Sequence, residues 1–95
     1  MNLEEASKIL QEQVSRMRNI PYSELKHLVT NRLIQTPDIN GPSGVKYYLE
    51  IEAFWDGLPD GNIRLIVSID DAGTRAYHPL TQDFIKAPDD SFVGE

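Results

Sequence analysis

The stretch VKYYLEIEAFW, residues 45–55, alternates apolar and polar side chains with a period of two. Such alternation is typical of a β-strand with one buried face. The stretch 62–70 repeats the pattern, and the turn sequence LPDGN lies between the two, so they predict an antiparallel hairpin. Odd-numbered residues of both strands must share the buried face, because a shift of one residue would turn one apolar set toward water. Arg64 is therefore expected opposite Glu52 or Phe54.

Apolar residues recur at steps of three and four before this hairpin, which predicts helices over residues 3–17 and 22–34. Asn2 is the expected cap of the first helix. The stretch TPDINGPSG, residues 36–44, reads as a turn-rich loop, and short strands are expected over 75–77, 83–87 and 91–93. The predicted fold class is α+β, with two N-terminal helices packed on one face of an antiparallel meander of three to five strands. We expect a single domain over 1–95, helical in 1–35 and a sheet in 45–95.

Three predicted turns contain five of the ten acids in residues 45–95. In LPDGN, Gly61 is expected to take the left-handed position that follows Asp60. In IDDAG, Asp70 is expected at the first position of the turn and Gly73 in a bulge. In APDDS, residues 87–91, Asp90 occupies the position where a left-handed conformation favours glycine. This predicts that Asp90→Gly stabilises the fold by up to ~1 kcal/mol.

Composition narrows the function classes. The 95 residues include no cysteine, which excludes disulfides and thiolate metal sites, and no apolar run approaches the length of a membrane span. The net charge is −6, and all of this excess lies in residues 45–95. An acidic surface repels phosphate backbones, so nucleic acid is not an expected partner. We expect a cytoplasmic protein with no cofactor.

One face of the predicted hairpin is more apolar than a solvated face requires. Its candidate contact residues are Tyr48, Glu50, Glu52, Phe54, Arg64 and Ile66. Aromatic side chains among charges are typical of a modest protein contact surface. Two interpretations stay open, since the C-terminal strands or the 36–44 loop could instead fold over this face.

A second candidate site follows from the predicted meander. If successive turns alternate between the two ends of the sheet, the turns near 70–73 and 88–90 meet at one end. Asp70, Asp71, Asp89 and Asp90 would then form a weak site for a hard cation. Catalytic signals are thin: Ser68, His78 and Asp70 can be grouped, but no nucleophile elbow or metal-spaced histidine supports a catalytic role.

The second half of the chain resembles a known family. The motifs are GPSG (41–44), IEAFWD (51–56), GNIRLIVSIDD (61–71), RAYHPL (75–80) and FIKAPDDSFVGE (84–95). They resemble those of small uncharacterised bacterial proteins that share a domain of unknown function. Ala72 and Asp90 depart from the glycines of that pattern. The resemblance implies one compact domain and no particular activity, cofactor or catalytic residue.

These observations predict a non-enzymatic interaction protein. The partner would be another protein or a second copy of the chain as a homodimer, and an immunity-like or antitoxin-like role fits a small acidic domain. The alternative is a domain that binds a small ligand or a divalent cation at the acidic turn end. No catalytic residue is predicted.

Overall fold

The structure is a computed structural model that describes residues 2–71 and 80–95. Two helices, α1 (Leu3–Arg18) and α2 (Tyr22–Thr30), precede four strands. These strands are β1 (Asp38–Asn40), β2 (Lys46–Trp55), β3 (Ile63–Asp71) and β4 (Leu80–Lys86). They form one antiparallel sheet in the order β1-β2-β3-β4. The α+β fold class predicted from the sequence is confirmed.

The central hairpin has the predicted register. Leu49 lies opposite Ile69 and Ile51 opposite Val67, so odd-numbered residues face odd-numbered residues throughout. Arg64 lies opposite Phe54, one of its two expected neighbours. The odd-numbered side chains are buried, except for the partly exposed last residue of each strand, while the even-numbered ones of β2 are exposed. The alternation in the sequence therefore determined both the pairing and the buried face.

The core lies between the helices and the odd-numbered face of the sheet. It joins the apolar stripe of α1 to Leu25 of α2 and to the inward residues of β2, β3 and β4. Its largest fully buried side chains are Tyr47, Leu10, Leu25, Ile63, Leu65, Ile69 and Val67. Full burial of such side chains stabilises the fold by about 1.5–3 kcal/mol each. Leu3 and Leu33, which the helical pattern placed on apolar faces, are instead 61% and 44% exposed.

The ends of the helices have specific causes. Asn2 accepts a hydrogen bond from the backbone N–H of Glu5 at 3.1 Å, so the expected cap of α1 is confirmed. Helix α2 ends at Thr30, four residues before the predicted end. Arg32 is left-handed at φ 51°, its N–H reaches Val29 O, and the Leu33 N–H reaches Leu28 O. This is a Schellman ending with arginine where glycine is usual, and the apolar periodicity concealed it.

Strand β1 falls within the stretch predicted as a loop. Ile39 pairs with Tyr47 and Asp38 with Tyr48, and an isolated bridge joins Gln35 to Ile51. The turn residues of TPDINGPSG dominate the local signal, but the edge of β2 offers unpaired backbone groups that a short extended segment satisfies. Residues 36–44 therefore run beside β2 as an edge strand and the turn after it.

The second half of the sheet differs from the predicted meander. Strand β4 begins at Leu80 and pairs directly with β3, from Ile69 opposite Leu80 to Ile63 opposite Lys86. The strand expected over 75–77 and the bulge at Gly73 lie outside the described residues. Beyond β4, Phe92 bridges Lys86 and the Val93 N–H donates to Ile85 O, so the chain end folds back on β4 as expected.

Two turn predictions need correction. In LPDGN the left-handed residue is Asp60, at φ 67°, and the Gly61 N–H closes the turn on Leu58 O at 3.1 Å. Gly61 therefore occupies the fourth position of the turn, one place later than predicted. Asp70 belongs to β3 and pairs with Tyr48, so it is a strand residue. The left-handed conformation expected at Asp90 is confirmed, with φ 70°.

Candidate interaction surface

The sheet has one face that no described residue covers. The helices pack on the odd-numbered face, and the opposite face, here called the outer face, points away from them. Residues 36–40 extend the sheet at one edge and 80–95 at the other. Within residues 2–71 and 80–95, neither segment folds over the outer face, which leaves the contact-surface interpretation standing.

The predicted contact residues lie together on this outer face. Cross-strand rows define it as Tyr48 and Asp70, then Glu50, Ser68 and Thr81, then Glu52, Ile66 and Asp83, then Phe54, Arg64 and Ile85. Tyr48 is 46% exposed and Phe54 is 37% exposed, while Ile66 is partly buried between its neighbours. All six residues predicted from the sequence are thus brought together, and β4 adds Asp83 and Ile85 beside them.

Arg64 is held by two carboxylates at one end of the outer face. Its Nε donates to Asp56 Oδ1 at 3.3 Å, and its Nη1 forms an ion pair with Asp83. The hydrogen bond with Asp56 is the main reason that the pKa of Arg64 is raised above its ordinary value. Glu52, the other residue expected opposite Arg64, is not among its ion-pair partners in the described residues. Arg64 is therefore neutralised from its flanks and adds no free positive charge to the face.

Lys46, the other cation of the outer face among the described residues, pairs with Asp38 at 3.4 Å, so the remaining unpaired charge is negative. Glu50 and Glu52 are exposed on β2, and neither forms an ion pair with another described residue. They stand between the aromatic rings of Tyr48 and Phe54 along the same strand. Within residues 2–71 and 80–95, the arrangement thus combines exposed apolar area with two carboxylates that pair with no cation.

Two cavities border the outer face along β2. One of about 470 Å³ lies beside Tyr48 and includes Thr36, Ser68 and Asp70. The other, of about 620 Å³, lies beside Phe54 at the free end of β2, against the end of α2. Side chains of a binding partner can therefore enter a pocket at either end of β2.

The predicted cation site is wrong, because its four acids do not meet. Asp70 and Asp71 end β3, whereas the register from Ile69–Leu80 to Ile63–Lys86 carries Asp89 and Asp90 to the opposite end of the sheet. The prediction placed a strand between β3 and β4 in the sheet, whereas β4 pairs directly with β3, so the last turn falls at the other end. No group of three or more metal-binding side chains occurs in the described parts of the chain.

Separate hydrogen bonds account for three of these acids. Asp70 Oδ1 accepts the Asp71 N–H at 2.9 Å. Asp89 Oδ1 accepts from the Ser91 hydroxyl at 2.6 Å and from its N–H at 3.0 Å, which lowers the pKa of Asp89. Asp90 Oδ1 accepts the Tyr22 N–H at 2.7 Å. Asp70 and Asp89 thus bond to neighbouring residues, whereas Asp90 bonds to a residue that is distant in sequence.

Asp90 and Lys86 secure the junction between the two helices, which the sequence did not reveal. Pro21 provides no side-chain cap for α2, and Asp90 takes that place from the far end of the chain. The buried Lys86 Nζ donates to the carbonyls of Arg18 and Ile20 at 2.8 and 2.7 Å, where α1 ends. An anion thus meets a helix N-terminus and a cation meets a helix C-terminus.

The role of Asp90 changes the expected effect of replacing it. Asp90→Gly relieves a left-handed residue by up to about 1 kcal/mol but removes the cap of α2, which is typically worth 0.5–2 kcal/mol. We expect the urea midpoint of Asp90→Gly to stay level or fall, reversing the prediction made from the turn alone. Asparagine keeps a hydrogen-bond acceptor and tolerates this φ, so the urea midpoint of Asp90→Asn is expected to lie closer to that of the parent chain. A clearly higher midpoint for Asp90→Gly than for Asp90→Asn would contradict the capping role.

The possible catalytic grouping has no described geometry. Ser68 and Asp70 both lie in β3, and His78 lies outside the described residues. Across residues 2–71 and 80–95, no helix has the length and hydropathy needed to cross a membrane.

No family model, curated protein or solved structure matches the chain. The resemblance of residues 41–95 to small bacterial proteins therefore stays a prediction that rests on its motifs.

Proposed function

We propose that the chain is a non-enzymatic protein-binding domain whose outer face docks against a basic surface of another protein. The observation that carries this proposal is a sheet face that no described residue covers, on which Tyr48 and Phe54 flank two carboxylates that form no ion pair with another described residue. Exposed aromatic rings are enriched in protein interfaces because they bury much area at low entropic cost. The face therefore has the composition of a contact surface.

The charge of the face favours a partner rich in lysine or arginine. A basic side chain can pair with Glu50 or Glu52 and rest its charge over the ring of Phe54 or Tyr48. Burying the carboxylates against an apolar or acidic partner would instead cost free energy. We infer that opposite charge steers the encounter and that the aromatic rings supply most of the contact area.

The same charge argues against a symmetric dimer through this face. Two copies placed face to face would bring Glu50 and Glu52 toward the same residues of the second copy, which is unfavourable. Arg64 does not compensate, because Asp56 and Asp83 already neutralise it. We therefore assign the face to a different protein, and self-association is the competing outcome of the test.

A cytoplasmic, bacterial setting fits this role. The chain has no cysteine, so its fold does not depend on the redox state of its compartment. Its net negative charge is suited to neutralising a basic protein, as in immunity or antitoxin pairs. The setting and the class of partner belong to the proposal.

A pair of matched variants tests the proposal by quantitative capture from native lysate. Glu50→Gln/Glu52→Gln removes two carboxylates from the outer face, and Glu4→Gln/Glu12→Gln removes two exposed carboxylates from α1 on the other side. Both variants have the same net charge. We expect a basic protein to bind the parent chain and the α1 variant, and to bind the face variant about tenfold less, with added salt weakening all three.

Two outcomes would contradict the proposal. Equal loss of binding in both variants would show a nonspecific attraction to an acidic chain. If the chain captures only further copies of itself and light scattering gives twice its mass, the face would be assigned to self-association.

A further inference from the structure

The edge of β2 is covered along only part of its length. Strand β1 covers Lys46–Tyr48, and the isolated bridge from Gln35 reaches Ile51. No strand of the described ranges 2–71 and 80–95 pairs with Ala53–Trp55 on this side. Three residues of β2 therefore continue past the covering segment as an open edge.

The backbone groups at this open edge point outward. The Leu49 N–H donates to Pro37 O, and Ile51 exchanges two hydrogen bonds with Gln35, so odd-numbered residues of β2 direct their N–H and C=O groups to the β1 side. The register with β3 runs without a bulge to Trp55. The same alternation therefore aims the N–H and C=O groups of Ala53 and Trp55 away from β3. An added strand can pair with both residues.

A groove of mixed polarity accompanies the open edge, and its polar lining comes from Thr30, Arg32 and Glu52. The cavity of about 620 Å³ is walled by Val29, Leu33 and Ile34 on one side and by Ala53–Trp55 on the other. Leu33 is 44% exposed and Ile34 is 50% exposed, and both follow the Schellman ending of α2 at Arg32. That ending turns the chain away from the helix axis and leaves the two side chains beside the strand edge.

We propose that the partner adds an extended segment to β2 at Ala53–Trp55, with alternating apolar and basic side chains. The inference rests on the proposed function and names the part of the partner that the site takes. Backbone hydrogen bonds to a strand edge supply affinity, and the alternate side chains supply specificity.

The two faces of the sheet dictate the alternation. Side chains of an added strand that point inward meet the groove walls at Val29 and Leu33, which favours apolar residues. Side chains that point outward lie next to Glu52 and Phe54, which form the end of the outer face. A carboxylate and an aromatic ring favour lysine or arginine there. The groove is thus continuous with the acidic face, and one basic partner engages both.

A random heptapeptide library displayed on phage tests the proposal, with the full chain as bait. We expect enriched peptides to alternate apolar and basic residues. The variant Leu33→Ser/Ile34→Ser, which changes two half-exposed side chains, is expected to lose at least tenfold in affinity for a synthetic copy of the best peptide. The matched control is Leu58→Ser, because Leu58 is 81% exposed and lies outside the groove. It is expected to bind like the parent chain.

A second readout reports strand addition itself. In the ¹⁵N-labelled chain, the bound peptide is expected to slow the hydrogen exchange of the Ala53 and Trp55 amides at least tenfold. A copy of the peptide that is N-methylated at alternate residues cannot form these bonds and is expected to lose binding. Failure to enrich any peptide, enrichment without alternation, or equal binding to the groove variant and Leu58→Ser would overturn the proposal.

The two proposals fail in distinguishable ways. The captured basic protein could need Glu50 and Glu52 for binding yet bind Leu33→Ser/Ile34→Ser like the parent chain. That result retains docking on the outer face and removes strand addition. A captured protein whose binding is weakened by Leu33→Ser/Ile34→Ser but not by Glu50→Gln/Glu52→Gln retains strand addition at the groove. That result removes docking on the outer face.

Discussion

Deletion of residues 88–95 is expected to lower the free energy of unfolding by about 2–3 kcal/mol. The estimate combines loss of the Asp90 cap on α2, worth about 1 kcal/mol, with loss of the partly buried Phe92 side chain, worth about 1–2 kcal/mol. For a domain of this size the melting temperature should fall by about 10 °C or more.

The contacts of the chain end explain this sensitivity. The guanidinium carbon of Arg18 lies 3.8 Å from the centroid of the Phe92 ring, and its nitrogens donate to both Glu95 oxygens at 2.7 and 2.6 Å. These bonds lower the pKa of Glu95 and raise that of Arg18. Phe92 also meets Phe84 edge to face at 5.7 Å. The last residues thus join the end of α1 to β4.

Urea unfolding followed by the fluorescence of Trp55, the single tryptophan, measures the effect of the deletion. Phe92→Ala removes only the ring, so it should lower the free energy of unfolding by about half as much as the deletion does. Deletion of Gly94 and Glu95 alone removes the exposed ion pair and should cost little. An unchanged midpoint after deletion of 88–95 would refute the role of the chain end.

Gly41→Ala is expected to destabilise the fold by about 1–3 kcal/mol, because an added methyl group has no room. A Cβ at this position would lie 2.4 Å from Glu5 Oε1 and 2.9 Å from Cε2 of the Tyr47 ring. The Tyr47 ring is fully buried and cannot withdraw. Its strand is fixed on both sides by β1 and β3.

Glu5 is constrained by what it binds. Its carboxylate accepts from the Ser43 hydroxyl at 2.7 Å, the Tyr47 hydroxyl at 2.8 Å and the Ser43 N–H at 3.0 Å. The hydrogen bonds from Ser43 and Tyr47 lower the pKa of Glu5, while burial and the bond to Glu5 raise that of Tyr47. Moving Glu5 away from a new methyl group would break this attachment of the GPSG turn to α1.

A double-mutant cycle separates the two clashes. In a Glu5→Ala background, Gly41→Ala should cost less than in the parent chain, and the remainder reports the clash with Tyr47. Chemical denaturation of the four chains measures the coupling. A Gly41→Ala chain as stable as the parent would show that residues 41–44 do not pack against α1 as described.

The sequence predicted the parts of the fold whose pattern is local and strong. The alternation of 45–55 and 62–70 determined the hairpin and its buried face, and the outer face followed from it. Helix α1 and the left-handed Asp90 were likewise predictable. Each rests on a few neighbouring residues whose physical preferences agree.

Other features depend on contacts that no local pattern encodes. Strand β1 exists because the edge of β2 accepts it, although its own residues favour a loop. Lys86 reads as an ordinary strand lysine, but it binds the end of α1 from 66 and 68 residues away in sequence. The predicted cation site was wrong for the same reason, since the direct pairing of β4 with β3 places Asp89 and Asp90 at the end of the sheet opposite Asp70 and Asp71.

The central claim is that the outer face of the sheet binds a basic protein. Its most direct test is an NMR footprint of the captured partner on the ¹⁵N-labelled chain. We expect the largest amide shifts and broadening in β2 and β3, centred on Tyr48, Glu50, Phe54 and Ile66, with the exposed side of α1 unchanged. A footprint confined to α1 and α2, with β2 and β3 undisturbed, would contradict the claim.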